Sequence, residues 1–463
     1  MLFIFQNTLS PIRSFSCLLL RLLSISHGKL YFLPMSKNSS KHASNITRKI
    51  LRKGKKSYKN MFCLICLAPH QFRDPKGRKG TRFYPLLKAF LLAPLLHIEV
   101  MVSTVHAQVE ANPAYAALCG FSSIPSIRTF ERFDQIMIET GLWEKVRKMT
   151  VFQNFEQGVI EKEAVVAVDT SHIEAEATLN ATRKTCDHPE PCECPKVPTD
   201  DNVGLVRKSN TVSYIGHKAS VVCGVHSELP STRTIFKGNR SDAVTLEETL
   251  KDVLEDVPYI AKSIQYVTAD GVYQNGNNQT LCKEILEAKL IAPINPRNRK
   301  EKPLDVRGMQ KLTSYGVPVC MSGHQMKLKG LDTTNNQYIW VCPVFNEKYQ
   351  KEGLTCSSAC HTECCSQAKS GRTIRIDQET TPQIDPEFPQ HLASFQKIYK
   401  ERTAIERVFA QLKDGLSMRR VHKRGKKAVE AHMDRCITIS HMLAYISVME
   451  TGTLYRGWTK LSA

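Results

Sequence analysis

The sequence is short of acid. Its 463 residues carry 44 Asp and Glu against 64 Lys and Arg, a formal charge of +20. A surplus of that size points to a polyanionic partner, nucleic acid first. The chain also lacks an uninterrupted apolar run of membrane-spanning length. The longest in its body, LLKAFLLAPLLHIEVMV from Leu86 to Val102, is broken by Lys88, Pro94, His97 and Glu99. It reads as a buried helix pair or a kinked helix, and no membrane partner is expected. No internal repeat is present. Cysteine is plentiful, with 16 residues. The chain is far longer than disulfide-stapled secreted modules, so reduced thiols or a metal site are the better reading. With 42% hydrophobic and 23% charged residues, the composition is that of a globular protein of two or three domains.

Residues 1–34 are apolar, with scattered Arg and Lys and no acid. They lack a basic start followed by one apolar core, so they read as an over-extended start or a disordered leader. Met35 opens a more natural polar beginning. Residues 35–60 crowd Arg48, Lys49, Arg52, Lys53, Lys55, Lys56 and Lys59 together. Like charges at that density resist packing and predict a mobile arm that can lie on phosphates. Residues 61–150 read as a small helical N-terminal domain. Within it, Ser126 should cap a helix from Ile127 whose inner face carries Phe130 and Phe133.

The texture changes at Glu163. The run EAVVAVD predicts a strand buried on both faces and ending at Asp169. Two longer strands follow around a turn near Ser227 to Pro230. A helix capped by Ser241 or Asp242 comes next, then the strand IQYVTAD ending in Asp270, a helix, and a strand in LIAPINP. Helix and strand alternate in an α/β pattern with a mixed sheet. The expected divisions are a first core part at 151–299, a Cys-rich insertion at 300–372, a second core part at 373–450 and a tail at 451–463.

Two strands thus end in an acid. In α/β sheets ligand sites gather beyond strand ends, and paired carboxylates are hard oxygen ligands for Mg²⁺ or Mn²⁺. An Asp after a strand also serves as a turn former or helix cap. A third acid comes from YKERTAIERVFAQLK, Tyr399 to Lys413, read as one helix. Steps of four and seven put Arg402, Glu406 and Lys413 on one face, with Tyr399 a turn earlier on the same side. Ile405, Phe409, Leu412 and Leu416 form a separate apolar stripe. Glu406 can join the two Asp residues, while Arg402, Lys413 and Arg407 can meet phosphates. An Arg402–Glu406 pair on a solvated face is the plainer alternative. These residues alone reach metal-dependent phosphodiester chemistry on nucleic acid.

Tyr399, Arg402, Glu406 and Lys413, spaced by two, three and six residues, resemble the Tyr-Arg-Glu-Lys signature of bacterial insertion-sequence DDE transposases. Asp169 in AVDTSHIEA is similar to that family's first acid. Asp270 in TADGVYQN is similar to its second, although the family more often has the order Asp-x-Gly-Tyr. The stretch from LLKAFLLAPLL to PSIRTFERF resembles the helical, DNA-binding N-terminal domain of that family. The resemblance covers about residues 82 to 450. It implies an RNase H-like core with Asp169 on its first strand, Asp270 on its fourth and Glu406 on a late helix. It implies two Mg²⁺ or Mn²⁺ ions held by these three acids, and Tyr399, Arg402, Arg407 and Lys413 on DNA. It implies a homodimer on double-stranded transposon ends and target, in the cytoplasm with the nucleoid. Two alternatives stay open: a transposon-derived DNA-binding protein without catalysis, and a metal-dependent nuclease without strand transfer.

In the insertion, Cys342, Cys356, Cys360 and Cys364 (or Cys365) are candidate ligands for one structural Zn²⁺, with His361 an alternate. The segment offers few large apolar residues, chiefly Tyr338, Trp340, Val344 and Phe345, so it is expected to lack a core of its own. The run CDHPEPCECP from Cys186 to Pro195 reads as a disordered or weakly metal-binding excursion. Cys63-x-x-Cys66 is a weak signal.

Overall fold

Strand β1 (Val165–Ala175) organises the molecule. In the computed structural model, residues 83–454 are described, apart from 96–97, 178–181, 185, 190–191, 195, 199, 201, 208–210, 212, 296–298, 347, 349–352, 357–370 and 381–384. The leader, the basic arm, Cys63, Cys66, Cys360, His361, Cys364 and Cys365 therefore lie outside the described residues.

β1 runs antiparallel to β5 (Ser213–Gly224) from Val166 to Glu174 and parallel to β7 (Tyr266–Thr268). β7 is parallel to β8 (Lys289–Ile291). On its other edge β5 pairs first with β4 (Gly204–Arg207) and then with β6 (Pro230–Lys237). The five main strands thus lie in the order β6-β5-β1-β7-β8. β1 is longer than EAVVAVD predicts, because β5 pairs it well past the apolar run. Asp169 therefore sits in mid-strand, opposite Val221, and not at a strand end. The predicted turn between the two long strands is present, and Glu163 holds it. Its carboxylate accepts from the backbone N–H groups of His226 and Ser227, at 2.7 and 2.9 Å. A Cβ at Gly224 would lie 2.1 Å from that carboxylate, so only glycine leaves the space.

Alternation along β1 feeds two cores. Ala167 and Ile173 join one apolar cluster, and Val166 and Val168 join the other. Helices α1 (Phe83–Leu95), α2 (Val102–Ala111), α3 (Pro113–Cys119), α4 (Ile127–Glu139) and α5 (Leu142–Glu156) precede the sheet. α4 starts at Ile127 with Phe130 and Phe133 buried, as predicted. Ser126 is its N-cap residue, as predicted, although its hydroxyl faces Thr129 Oγ1 and makes no capping hydrogen bond to a backbone N–H. These helices are not a separate body ahead of the sheet. Phe90, Phe130 and Trp143 share one cluster with Ala167, Ala219 and Ile405.

The second cluster packs α6 (Leu246–Asp256) and α7 (Gly276–Leu286) on the opposite face. Neither Ser241 nor Asp242 caps α6, whose N-cap is Thr245. α8 (Ala393–Lys400), α9 (Thr403–Ala410) and α10 (Lys426–Thr451) complete the chain. Strand β15 (Arg420–Val421) extends the far end of β1 in parallel.

The insertion corrects the sequence expectation. β9 (Lys302–Pro303), β10 (Met309–Leu312) and β11 (Pro318–Cys320) form one sheet. β12 (Lys327–Asp332), β13 (Gln337–Val341) and β14 (Thr373–Asp377) form another. Between them Met309, Leu312, Val317, Met326, Trp340, Ile374 and Ile376 build a buried cluster. One or two apolar residues from each of several short strands and their flanking turns make a core that no single run announces. β14 pairs with β13 along its whole length, so the Thr373–Asp377 strand belongs to this unit.

A buried charge network ties the layers together. Arg147 in α5 is fully buried, and donates to Asp434 in α10 at 2.7 Å, to Asp256 in α6 at 2.6 Å and to the Ser231 carbonyl in β6. Arg233 in β6 donates to both oxygens of Asp434. Removing one partner of such a network strands a buried charge, at a cost of about 3–5 kcal/mol. Arg147→Met should therefore lower unfolding free energy by about that much in urea titrations. Arg240→Ala, which breaks an exposed pair with Glu248, should cost less than about 1 kcal/mol. Equal losses from the two would remove the network's special standing.

The buried histidines add a pH dependence. His441 donates to the Pro230 carbonyl and faces Asn154 through its other ring nitrogen. Burial pushes it down to about 4, and burial with nearby Arg435 pushes His432 down to about 3. A depressed histidine favours folding above its unfolded value, ~6.5, and that stability is lost as pH falls toward the folded value. Stability should decline from about pH 6.5 to pH 4, and His441→Gln should flatten part of the slope in thermal melts across that range.

Candidate active site

Asp169 lies on the β1 face shared with Ala167 and Ile173, the face that α9 covers. α9 is held there by Ala404, Ile405, Val408 and Phe409, all buried, with Leu412 and Leu416 continuing the stripe. The expected apolar stripe is thus in place. The single helix is not. The chain forms α8, a tight turn at Glu401 and Arg402, and α9, and then widens into a π-helical turn at Gln411–Gly415. The Arg402 N–H bonds to Tyr399 O, three residues back, where an α-helix would reach four. Tyr399 and Lys413 therefore do not share one regular helical face with Glu406.

Asp169 is pushed up to about 6. Burial is the main cause, opposed by the Thr170 N–H and by Arg402, and reinforced by the charges of Asp242 and Asp270. So Asp169, Asp270, Asp242 and Arg402 share one electrostatic neighbourhood. Asp270 follows β7 and accepts from the Gly271 N–H at 2.6 Å, capping a short 3-10 turn. It is solvent-exposed. Glu406 accepts from Arg402 at 2.6 Å and is half exposed. Arg402 is also drawn to Asp169, and links the third acid to the first.

The remaining predicted residues have other contacts. Tyr399 stacks on Phe395, and its ring lies 5.9 Å from the Arg402 guanidinium. Lys413 sits 5.9 Å above the Phe409 ring. Arg407 pairs with buried Glu228 at 2.8 Å and also donates to Thr403. Cys342 is buried and its sulfur accepts from the Val344 N–H, while Cys356 is partly exposed. No disulfide occurs among the described cysteines.

Sequence reasoning missed Asp242. It accepts from the Thr170 hydroxyl and from the Lys218 ammonium, both at 2.6 Å. Lying before a helix, it reads as a cap. The usable signal was Lys218, a lone lysine inside the apolar strand β5, since a buried ammonium demands a partner. Carboxylate oxygens are the donors that Mg²⁺ and Mn²⁺ prefer, so Asp169 and Asp270 fit a hard divalent cation. Asp242 is already neutralised by Lys218.

Residues 319–439 match the family model of the transposase DDE domain. The match runs from β11 into α10 and includes Tyr399, Arg402, Glu406 and Lys413, but neither Asp169 nor Asp270. The chain is also similar to a solved piggyBac transposase synaptic complex with hairpin DNA, at 10% identity and a TM-score of 0.37. That alignment covers 84% of this chain and 72% of the other, and the score is too low to establish a common fold. No curated protein matches. No helix among the described residues is long and apolar enough to cross a membrane.

The raised Asp169 has a thermodynamic consequence. Its folded value near 6 lies above its unfolded value of about 4, so its ionisation opposes folding, increasingly as pH rises from about 4 to about 6. Without divalent metal, Asp169→Asn should be more stable than the parent by about 2 kcal/mol at pH 7.5 and equal to it at pH 4. Mn²⁺ should raise the melting temperature of the parent and not of the variant. A variant weaker than the parent at every pH would make Asp169 a purely structural residue.

Proposed function

We propose that this protein is a DDE transposase that cuts and joins DNA at the ends of an insertion sequence. The observation that carries the reading is that Asp270 and Arg402 both act electrostatically on buried Asp169, with Glu406 paired to Arg402. The family match over the Glu406 segment supports it. The strand order β6-β5-β1-β7-β8, antiparallel for the first three strands in sequence and parallel for the last two, fits an RNase H-like core. In that reading Asp169 belongs to the first core strand and Asp270 follows the fourth.

Asp169, Asp270 and Glu406 would hold two Mg²⁺ or Mn²⁺ ions. When bound, the ions acidify the attacking water or 3′-hydroxyl and stabilise the departing oxygen. The chain's own residues prepare the place. Burial of Asp169 strengthens its attraction for a cation. Lys218 keeps Asp242 from adding a further uncompensated charge. Arg402 neutralises the acids in the free protein and can exchange Glu406 for a phosphate when DNA arrives. Lys413 and Tyr399 flank the same helix and would meet the backbone near the cut. Arg407, anchored on Glu228, orients the helix and keeps one edge for phosphate. The substrate is double-stranded DNA, at paired ends and target, held by two copies of the chain.

Asp169→Asn, Asp270→Asn and Glu406→Gln should each lower cleavage of DNA bearing the element's ends by about a thousandfold or more, with binding near that of the parent. Parent protein that binds but never cuts with Mg²⁺ or Mn²⁺ would indicate a DNA-binding derivative. Cutting without joining of the freed 3′ ends would indicate a nuclease. Arg402→Ala and Lys413→Ala should each reduce the salt slope of log K by about one unit. An unchanged slope with lower stability would leave them as braces of the helix.

A further inference from the structure

Between β1 and β4 the chain makes a small two-stranded ribbon, β2 (Thr182–Lys184) against β3 (Lys196–Pro198). Its register pairs Thr182 with Pro198, Arg183 with Val197 and Lys184 with Lys196. Cys186 and His188 follow β2 in the chain, and Cys192 and Cys194 precede β3. The sulfurs of Cys186 and Cys192 are 3.6 Å apart, and His188 Nδ1 is 3.3 Å from the Cys194 sulfur. Ligand atoms of Cys186, His188 and Cys194 lie within 4.8 Å of one another.

We infer that Cys186, His188, Cys192 and Cys194 form a structural Zn²⁺ site, with three thiolates and one imidazole nitrogen. Zinc–sulfur bonds of about 2.3 Å and a zinc–nitrogen bond of about 2.0–2.1 Å, arranged tetrahedrally, put ligand atoms about 3.5–3.8 Å apart. The two measured separations are close to that edge length. A disulfide requires about 2.05 Å between sulfurs, and none of these cysteines is so bonded. Asp187, His188, Pro189 and Glu193 are exposed. Binding displaces the three thiol protons and closes the tip, so metal and local order are coupled. The ribbon's base is tied to the segment before α10: Arg420 pairs with Glu176 at 2.8 Å, Arg424 donates to the Glu176 carbonyl, and the Gly425 N–H donates to Asp200. A zinc clip would therefore fix an excursion of the same strand that carries Asp169.

The full-length chain, purified under reducing conditions without chelator, should contain zinc by elemental mass spectrometry. Cys186→Ser with Cys194→Ser should remove one equivalent per chain, whereas Cys342→Ser with Cys356→Ser should leave that equivalent bound. His188→Cys should retain the metal, since a fourth thiolate serves equally. Cobalt-substituted protein should show thiolate-to-cobalt charge-transfer absorption that the Cys186 and Cys194 double variant lacks. That variant should melt at the parent's temperature but be cut by protease between residues 176 and 203. Metal content and cobalt spectrum unchanged in the double variant would overturn the site. So would a metal-free parent that takes up no cobalt, or a Cys186–Cys192 disulfide persisting in reductant.

Discussion

The fold depends on one buried cation. Arg147 is fully enclosed and reaches α6, β6 and α10 from α5. An enclosed guanidinium is tolerable only when its donors are matched by anions and carbonyls. That requirement fixes four elements relative to one another more sharply than apolar packing does, since packing is non-directional. Asp434 serves Arg147 and Arg233 at once, so the long helix α10 cannot slide without unpairing two charges. Through it the N-terminal helices are locked to the sheet, and one apolar cluster runs across both.

The candidate site is built on the opposite principle. Here acids outnumber their neutralising partners, and Asp270 and Glu406 are solvent-exposed. Asp169 is raised by burial and by its acidic neighbours, while Arg402 and Lys218 limit the repulsion. Ionisation of Asp169 opposes folding, and in the proposed reading a bound cation would offset that cost. The core network is closed and internally balanced. The site is not balanced in this way.

Two cysteine-bearing segments divide along a similar line. The insertion at 300–377 has a packed interior of its own, and Cys320 lies in it as a small apolar residue. The ribbon after β1 gathers the thiols of Cys186 and Cys194 with the His188 imidazole, and Cys192 lies beside Cys186. The number of cysteines in a segment is thus a poor guide to where metal belongs. What matters is whether the backbone brings ligands to one face and whether anything else stabilises them there.

Much was legible from residue order alone. Local hydrophobic period is a property of neighbouring residues, so it located β1, β5, β7, β8 and the helix at Ile127. The spacing of Arg402, Glu406 and the stripe from Ile405 to Leu416 likewise marked α9 and its buried side. The bulk charge pointed to a polyanion. Long-range pairing was invisible. The length of β1 is decided by β5, so Asp169 moved from a strand end to mid-strand. The tight turn at Arg402 and the π turn at Gln411–Gly415 break the helix without Pro or a local period change, so period alone could not foresee them. Asp242 looked like a helix cap because its partners, Thr170 and Lys218, are far away in sequence. The insertion's core escaped notice because it is assembled from one or two apolar residues per strand. Cys186, His188 and Cys194 come together only when the chain folds back on itself between β2 and β3, and spacing alone does not announce that.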